Sequence, residues 1–507
     1  MDSFWFSAGL NSLIVVVSVV IISLLISVPV AWLVTRTNIP GAKALNSAFA
    51  LPYIIPSYLL AMAWILLANP SVGWINRAIE HAFGFSQLLN IYGLPGIIFI
   101  ESSALFSILF LSLQAAMKKM DPVLEESARL SGAGNLRILL LITLPILKNS
   151  LLLGMISVGL ASLASFGVPA MIGTPGRTFV VTTGIYSLFQ NGTTESFQQA
   201  ITLSLRIVLA IVIVVAISKN LSSKRNLYLG AKYSAYSKID LRKWRLPLGC
   251  LLWLTFGLLF IIPSLALLIA SFQSDPSSFS LATLTLNHWR NVLFSEEFIR
   301  SAQNSLVSSF STAALVVVFC LLHSISKWHL QMAPSKWRNV LTKLFEEAGF
   351  VFYSLPGTVL ALLLILFFRW ANLASLSDSI GALIIAFVLK YVSLGVSSIG
   401  PSAQLVHPSL IEAAQLSGAT TWTRLTRIWI PLLKPSLIAA FILVLMPCLG
   451  ELTLSKLMTS PTSQNLGVYI FELQEYADRS SAAVVAVLLI ATVISLNFWI
   501  GKINHDS

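Results

Sequence analysis

Two stretches of the chain carry the same small set of residues at the same spacing. Residues 126–152 read ESARLSGAGNLRILLLITLPILKNSLL and residues 412–438 read EAAQLSGATTWTRLTRIWIPLLKPSLI, identical at 13 of 27 positions and offset by 286. Shared residues include Glu126/Glu412, Ala128/Ala414, Gly132/Gly418, Pro145/Pro431 and Lys148/Lys434. One carboxylate among small residues lacks the nucleophile and base of covalent catalysis, but it suits a short helix that is gripped by a partner. Asp121–Pro122 and His407–Pro408 supply the helix starts. Leu124, Ala128 and Leu130, like Leu410, Ala414 and Leu416, offer apolar surface beside the glutamates. Gly132 and Gly418 permit a turn that a side chain would hinder. Such a helix, present twice, suggests a docking element for a two-fold symmetric partner, although a plain interfacial connector has the same shape.

Other chemistry finds little support. The six histidines are scattered, no H-E-x-x-H occurs, and no metal site is expected. Cys250, Cys320 and Cys448 lie far apart in apolar stretches, which suggests neither a disulfide framework nor a thiolate site. Ser324–Ile325–Ser326–Lys327 fits S-x-x-K by letter alone, without companion motifs. No G-x-x-x-x-G-K-[ST] loop is present to cradle nucleotide phosphates.

The elements that must hold the two loops are membrane helices. Of 507 residues 56% are hydrophobic and 10% charged, against roughly 45–50% and 25% in soluble proteins, so lipid must replace water around most of the chain. The net charge of +12 comes in short clusters between apolar runs and not as a basic patch with interleaved aromatics, so no nucleic-acid partner is expected. Eleven stretches are long and apolar enough to span a bilayer, near 10–34, 48–68, 94–117, 148–172, 200–218, 246–271, 303–325, 347–368, 379–399, 433–455 and 481–500. One set of loops holds 23 of the 32 Lys and Arg residues and the opposite set 7, which places the basic set, both repeated loops and the C-terminus in the cytoplasm and Met1 outside. The N-terminus resembles neither a signal peptide nor a transit peptide.

Fainter matches flank the repeat: Asn11–Ser12–Leu13 with Asn304–Ser305–Leu306, and Leu51–Pro52 with Leu355–Pro356. Both copies fall on one side of the membrane, so the expected fold is an all-α polytopic membrane protein of two parallel repeated helix bundles, about 11 spans divided 5+6. The expected division is a first transmembrane domain at 1–219, a basic cytoplasmic linker at 220–245 and a second transmembrane domain at 246–507. Charges inside spans are costly and therefore candidates for function. Glu451, after Pro447, answers to Ser165–Phe166–Gly167–Val168–Pro169 in the first half, and this pair of broken segments is a candidate gate carried by Phe166, Gly167, Pro169 and Glu451. A helix-end glutamate satisfied by a neighbouring base is the plainer reading. Arg206 and Lys390 can snorkel or pair within the bundle.

Both loops resemble the E-A-A-x3-G-x9-I-x-L-P signature of permease subunits from binding-protein-dependent ABC importers. The first copy reads Glu126–Ser127–Ala128, Gly132, Ile142 and Leu144–Pro145, with serine at the second position. The second reads Glu412–Ala413–Ala414, Gly418, Ile428 and Ile430–Pro431, with isoleucine before the proline. The resemblance implies a transport subunit of the inner membrane that is not itself an enzyme. Each loop would insert a coupling helix into one of two ATPase subunits, which bind ATP while this chain carries no cofactor. Substrate would come from a periplasmic or surface binding protein. The fused halves, with Phe166–Gly167–Val168–Pro169–Ala170 and Thr182–Thr183–Gly184–Ile185–Tyr186, look most like ferric-iron permeases, with thiamine and polyamine permeases as close relatives. The competing classes are an ion-coupled secondary transporter, which would need mid-membrane carboxylates and no paired docking loops, and an intramembrane enzyme, which would need a buried nucleophile with its base.

Overall fold

The structure is a computed structural model and describes residues 2–222, 238–276, 283–332, 334–476 and 478–505. Within these residues the chain is helical, with isolated bridges and no strand. Hydrocarbon imposes this, because a helix satisfies its own backbone donors and acceptors. Among the described residues eight helices are long and apolar enough to cross a membrane, and three further pairs bent at a short break bring the number to eleven. They coincide with the eleven expected stretches.

The helices fall into two compact units, residues 1–285 and 286–507. The first holds α1 (Asp2–Arg36), α2 (Ala42–Ala50), α3 (Ser57–Ala68), α4 (Trp74–Phe83), α5 (Leu94–Lys119), α6 (Val123–Leu130), α7 (Asn135–Ile146), α8 (Lys148–Ala164), α9 (Val181–Gln190), α10 (Thr194–Ser222) and α11 (Arg242–Phe272). The second holds α12 (Asn287–Leu293), α13 (Glu296–Met332), α14 (Lys336–Ser354), α15 (Gly357–Trp370), α16 (Ile380–Gln404), α17 (Pro408–Leu416), α18 (Thr421–Leu449), α19 (Ser455–Met458), α20 (Leu466–Glu475) and α21 (Arg479–His505).

In the first unit α1 lies along α5, and α8 closes the group. Phe49, Phe106 and Phe110 are fully buried there. Phe256 of α11 meets Phe49 edge-on at 5.8 Å between centroids, and Phe260 lies 6.4 Å from Phe106. These contacts draw α11 into the first unit. The packing boundary therefore falls between Thr285 and Leu286, whereas the sequence reading opens the second domain at 246. Six spans pack in the first unit and five in the second. Residues 223–237 of the expected linker lie outside the described residues. Its last part runs beside the end of α1, where Ile239 N–H donates to Arg36 O at 2.9 Å and Asn38 N–H to Ile239 O at 3.1 Å. In the second unit α13, α16 and α18 form the equivalent group around Val316, Phe387 and Ile399.

The bends have identifiable causes. Pro56 and Pro356 stand before α3 and α15 in extended conformation, with ψ of 126° and 137°, and the paired helices turn there by 96° and 117°. Proline lacks the N–H that would continue the first helix and disfavours the helical conformation in the residue before it. Pro356 thus answers to Pro56, which corrects the expected match with Leu51–Pro52: Pro52 sits inside a 3-10 turn. The stretches expected at 148–172 and 433–455 also end early. α8 stops at Ala164, where Ser165 is extended, and α18 stops at Leu449.

Candidate functional site

The repeated loops fold alike, and their motif has a local physical meaning. α6 and α17 each end on a glycine in the left-handed region, Gly132 at φ 84° and Gly418 at φ 77°. The Ala133 N–H reaches back to Ala128 O at 3.0 Å and the Gly132 N–H to Arg129 O at 3.0 Å. In the second loop Ala419 N–H donates to Ala414 O at 2.9 Å and Gly418 N–H to Gln415 O at 3.0 Å. This is the Schellman closure, in which the last carbonyls of a helix are satisfied by the two residues past its end. The third motif residue supplies the accepting carbonyl and the glycine supplies the turn. A Cβ at either glycine would meet nothing within 4 Å, so the requirement is conformational and not one of space. The two cap serines match as well, Ser131 Oγ donating to Ser127 O and Ser417 Oγ to Ala413 O. At the opposite ends, Asp121 Oδ1 accepts from Val123 N–H and His407 Nδ1 from Ser409 N–H, as expected of helix starts.

Each loop presents an apolar face. Leu130 and Leu416 are 91% and 90% exposed at equivalent positions, and Leu136 and Trp422 are 68% and 71% exposed. Ser127, Glu412 and Ala413 are exposed, and Glu126, Ala128 and Ala414 are half-buried. An exposed leucine beside a glutamate on a rigid, capped turn can enter an apolar groove on a partner while the carboxylate meets a donor at its rim.

The residue before the motif glutamate is buried in each loop and in the first fastens it to α1, which sequence reasoning missed. Glu125 is buried, its Oε2 lies 3.1 Å from Arg36 Nε, and its Oε1 accepts from Thr143 Oγ1 at 2.6 Å. Arg36 ends α1, and Thr143 lies in a π-helical turn of α7. In the second loop the same position is Ile411, also buried. Trp429, which answers to Thr143, sits in the matching π-helical turn and meets Trp328 edge-on at 5.3 Å. Trp328 lies near the end of α13 and donates through Nε1 to Val406 O at 2.9 Å. A polar cluster in one copy is an aromatic one in the other. The signal available in the sequence was a second glutamate beside the motif and an arginine closing the first span. Next to this cluster Asp240 accepts from the Arg242 N–H and from Asn38 Nδ2, which hold its carboxyl below the usual carboxylate range.

The candidate gate residues divide between the two broken segments. Phe166, Gly167 and Pro169 are buried where the chain leaves α8, with Phe166 against Tyr186 of α9 at 5.0 Å. Glu451 is buried where the chain leaves α18, and its carboxylate accepts from Leu454 N–H, Ser455 N–H and Ser455 Oγ at 2.9–3.1 Å. It caps α19 through backbone donors, and the Lys390 ammonium acts on it electrostatically as the neighbouring base of the plainer reading. Lys390 donates to Leu355 O at 2.8 Å, and Glu101 of α5 accepts from Ser162 of α8.

The faint Asn–Ser match is a second repeated fastening, at the far ends of the same two helices. Asn11 Nδ2 donates to Phe179 O at 3.0 Å, and Ser12 Oγ accepts from Val181 N–H at 2.8 Å, the first residue of α9. In the second unit Asn304 Nδ2 donates to Thr462 O and Gln464 O, and Ser305 Oγ accepts from Leu466 N–H at 2.8 Å, the first residue of α20.

Paired capped loops on a repeated helical membrane fold are what the resemblance to permease subunits of binding-protein-dependent ABC transporters implies, and the relatives of this chain are such transport subunits. Residues 330–505, which include the second loop, match the family described as binding-protein-dependent transport system inner membrane component. The chain is similar to a probable ABC transporter permease protein, y4fN, of Sinorhizobium fredii, 26% identical over 90% of this chain and 82% of that one. It is also similar to the Fe(3+)-transport system permease protein FbpB 2 of Haemophilus influenzae, 24% identical over 95% of this chain and 86% of that one. The molybdenum transport system permease protein ModB of Escherichia coli matches at 28% identity over 38% of this chain and 84% of its own length. Among solved structures, a chain of a bacterial alginate ABC transporter matches at 19% identity with a TM-score of 0.40, covering 52% of this chain and 94% of that one.

Proposed function

We propose that this chain passes ferric iron across the plasma membrane, taking it from a substrate-binding protein while each capped loop rests on one of two ATPase subunits. ATP is bound and hydrolysed on those partners, and their closure moves the loops. The basic loops and the C-terminus then face the cytoplasm and the N-terminus the opposite side, following the charge asymmetry. The observation that carries the cargo is the similarity to the ferric permease FbpB 2, which extends over 95% of this chain, whereas the molybdenum permease covers 38% of it. Thiamine or a polyamine is the alternative cargo.

Uptake into proteoliposomes holding the chain, its ATPase and its binding protein tests this directly. Ferric iron, molybdate, thiamine and spermidine are offered in turn, with and without ATP. ATP-dependent accumulation of iron alone is expected. Accumulation of another substrate in place of iron overturns the cargo, and uptake driven by an ion gradient without ATP overturns the class.

A further inference from the structure

In each unit one long helix is fastened at both ends. α1 holds the start of α9 through Asn11 and Ser12 and holds α6 through Arg36, Glu125 and Thr143. α13 holds the start of α20 through Asn304 and Ser305, and at its other end Trp328 holds Val406, just before α17, and packs on Trp429. Asn11 and Arg36 are 25 residues apart and Asn304 and Trp328 24, a rise of about 36 Å along an α-helix and so of the order of a bilayer. The fastening residues Ser12, Arg36, Glu125, Thr143, Asn304, Ser305 and Trp328 are all buried. At the far end the same two residue types make the same two bonds. At the loop end an ion pair in one copy is replaced by an indole pair in the other, one residue away in the repeat register. Chemistry that changes while the connection persists points to the connection as the functional feature.

We propose that α1 and α13 are transmission rods, with Asn11, Ser12, Arg36, Glu125 and Thr143 as positioning residues that make a displacement of the docking loop α6 a displacement of α9 at the far end. The matching set Asn304, Ser305, Trp328 and Trp429 does the same for α17 and α20. This rests on the reading of the loops as ATPase-docking elements. A helix resists stretching because its backbone hydrogen bonds run along its axis. A push at one fastening therefore reaches the other, while lipid-facing helices without such ties need not follow.

The test uses the whole complex in membrane vesicles, with Cys250→Ser to remove the exposed thiol and Asn191→Cys, at the exposed end of α9, as reporter. Labelling by a membrane-impermeant maleimide is measured with and without ATP and vanadate. Wild type is expected to change its labelling rate when nucleotide is trapped. Arg36→Ala and Glu125→Ala at the loop end, and separately Asn11→Ala and Ser12→Ala, are expected to cut that nucleotide-dependent change about tenfold while the ATPase still co-purifies. The exchanged pair R36E/E125R is expected to recover it. If the alanine variants do not accumulate, Glu125→Gln and Thr143→Val carry the test. Retention of the full nucleotide-dependent change in accumulated loop-end variants overturns the rod. Failure of the wild-type chain to retain any ATPase overturns the docking assignment instead.

Discussion

Arg36 Nε and Glu125 Oε2 lie 3.1 Å apart with both side chains withdrawn from solvent, 3% and 1% exposed. A buried pair adds little net stability, but removal of one partner leaves an uncompensated charge. Glu125→Ala should therefore cost about 3–5 kcal/mol. The double change to apolar residues, Arg36→Met with Glu125→Leu, should cost much less than the sum of the single changes. Unfolding of the purified chain in detergent, followed by thermal shift, decides this: additive losses would show that the two residues do not act as a pair.

Gly132 and Gly418 are open to a side chain but not to its conformation. Alanine at either should cost about 1–2 kcal/mol locally. Asparagine should cost less, since it tolerates the left-handed region. Proteolysis of the loops is a suitable measure, and equal cleavage of the alanine and asparagine variants would argue against the cap as the motif's purpose.

Leu130 and Leu416 expose about nine-tenths of their surface. Aspartate at either should leave the stability within about 0.5 kcal/mol of wild type, as surface changes do. The amount of ATPase retained on purification should fall with one substitution and further with both. Undiminished retention in the double variant would move the contact away from these leucines.

Glu451 satisfies two backbone N–H groups and the Ser455 hydroxyl. Glu451→Gln keeps one accepting oxygen and should lose about 1–2 kcal/mol less than Glu451→Ala, which leaves buried donors without a partner. A gate role predicts the reverse emphasis, with uptake abolished by glutamine at unchanged stability. Parallel melting and uptake measurements on the two variants separate the roles.

Asp240 titrates below its ordinary value because the Arg242 N–H and the Asn38 amide favour its charged form. A depressed carboxylate contributes stability above its unfolded pKa of about 3.9 and loses it as pH falls through the lower folded value. The attachment of residues 238–241 to the end of α1 should therefore weaken below about pH 4. Hydrogen exchange at Ile239 measured from neutral to acid pH should show the loss in wild type, and Asp240→Asn should flatten the profile.

The membrane class, the eleven spans and the two repeated helix-and-glycine loops were legible in the sequence. Hydrocarbon allows few ways to satisfy a backbone, and the Schellman closure is local, so Ala128 with Gly132 and Ala414 with Gly418 carry their own geometry in their spacing. The Asn11–Ser12 and Asn304–Ser305 match was visible too, though without its role. Tertiary structure alone decided what the loops are tied to. Glu125 pairs with Arg36 across 89 positions of sequence, and in the second unit Trp328 meets Trp429 instead, so no spacing announces either. Structure alone also assigned α11 to the first unit, because helices of uniform apolarity can pack against either half, and it is the ring surfaces of Phe256 and Phe260, meeting Phe49 and Phe106, that select one. Segments bonded within a few residues can be read from order along the chain; contacts between distant helices depend on shapes that order does not specify.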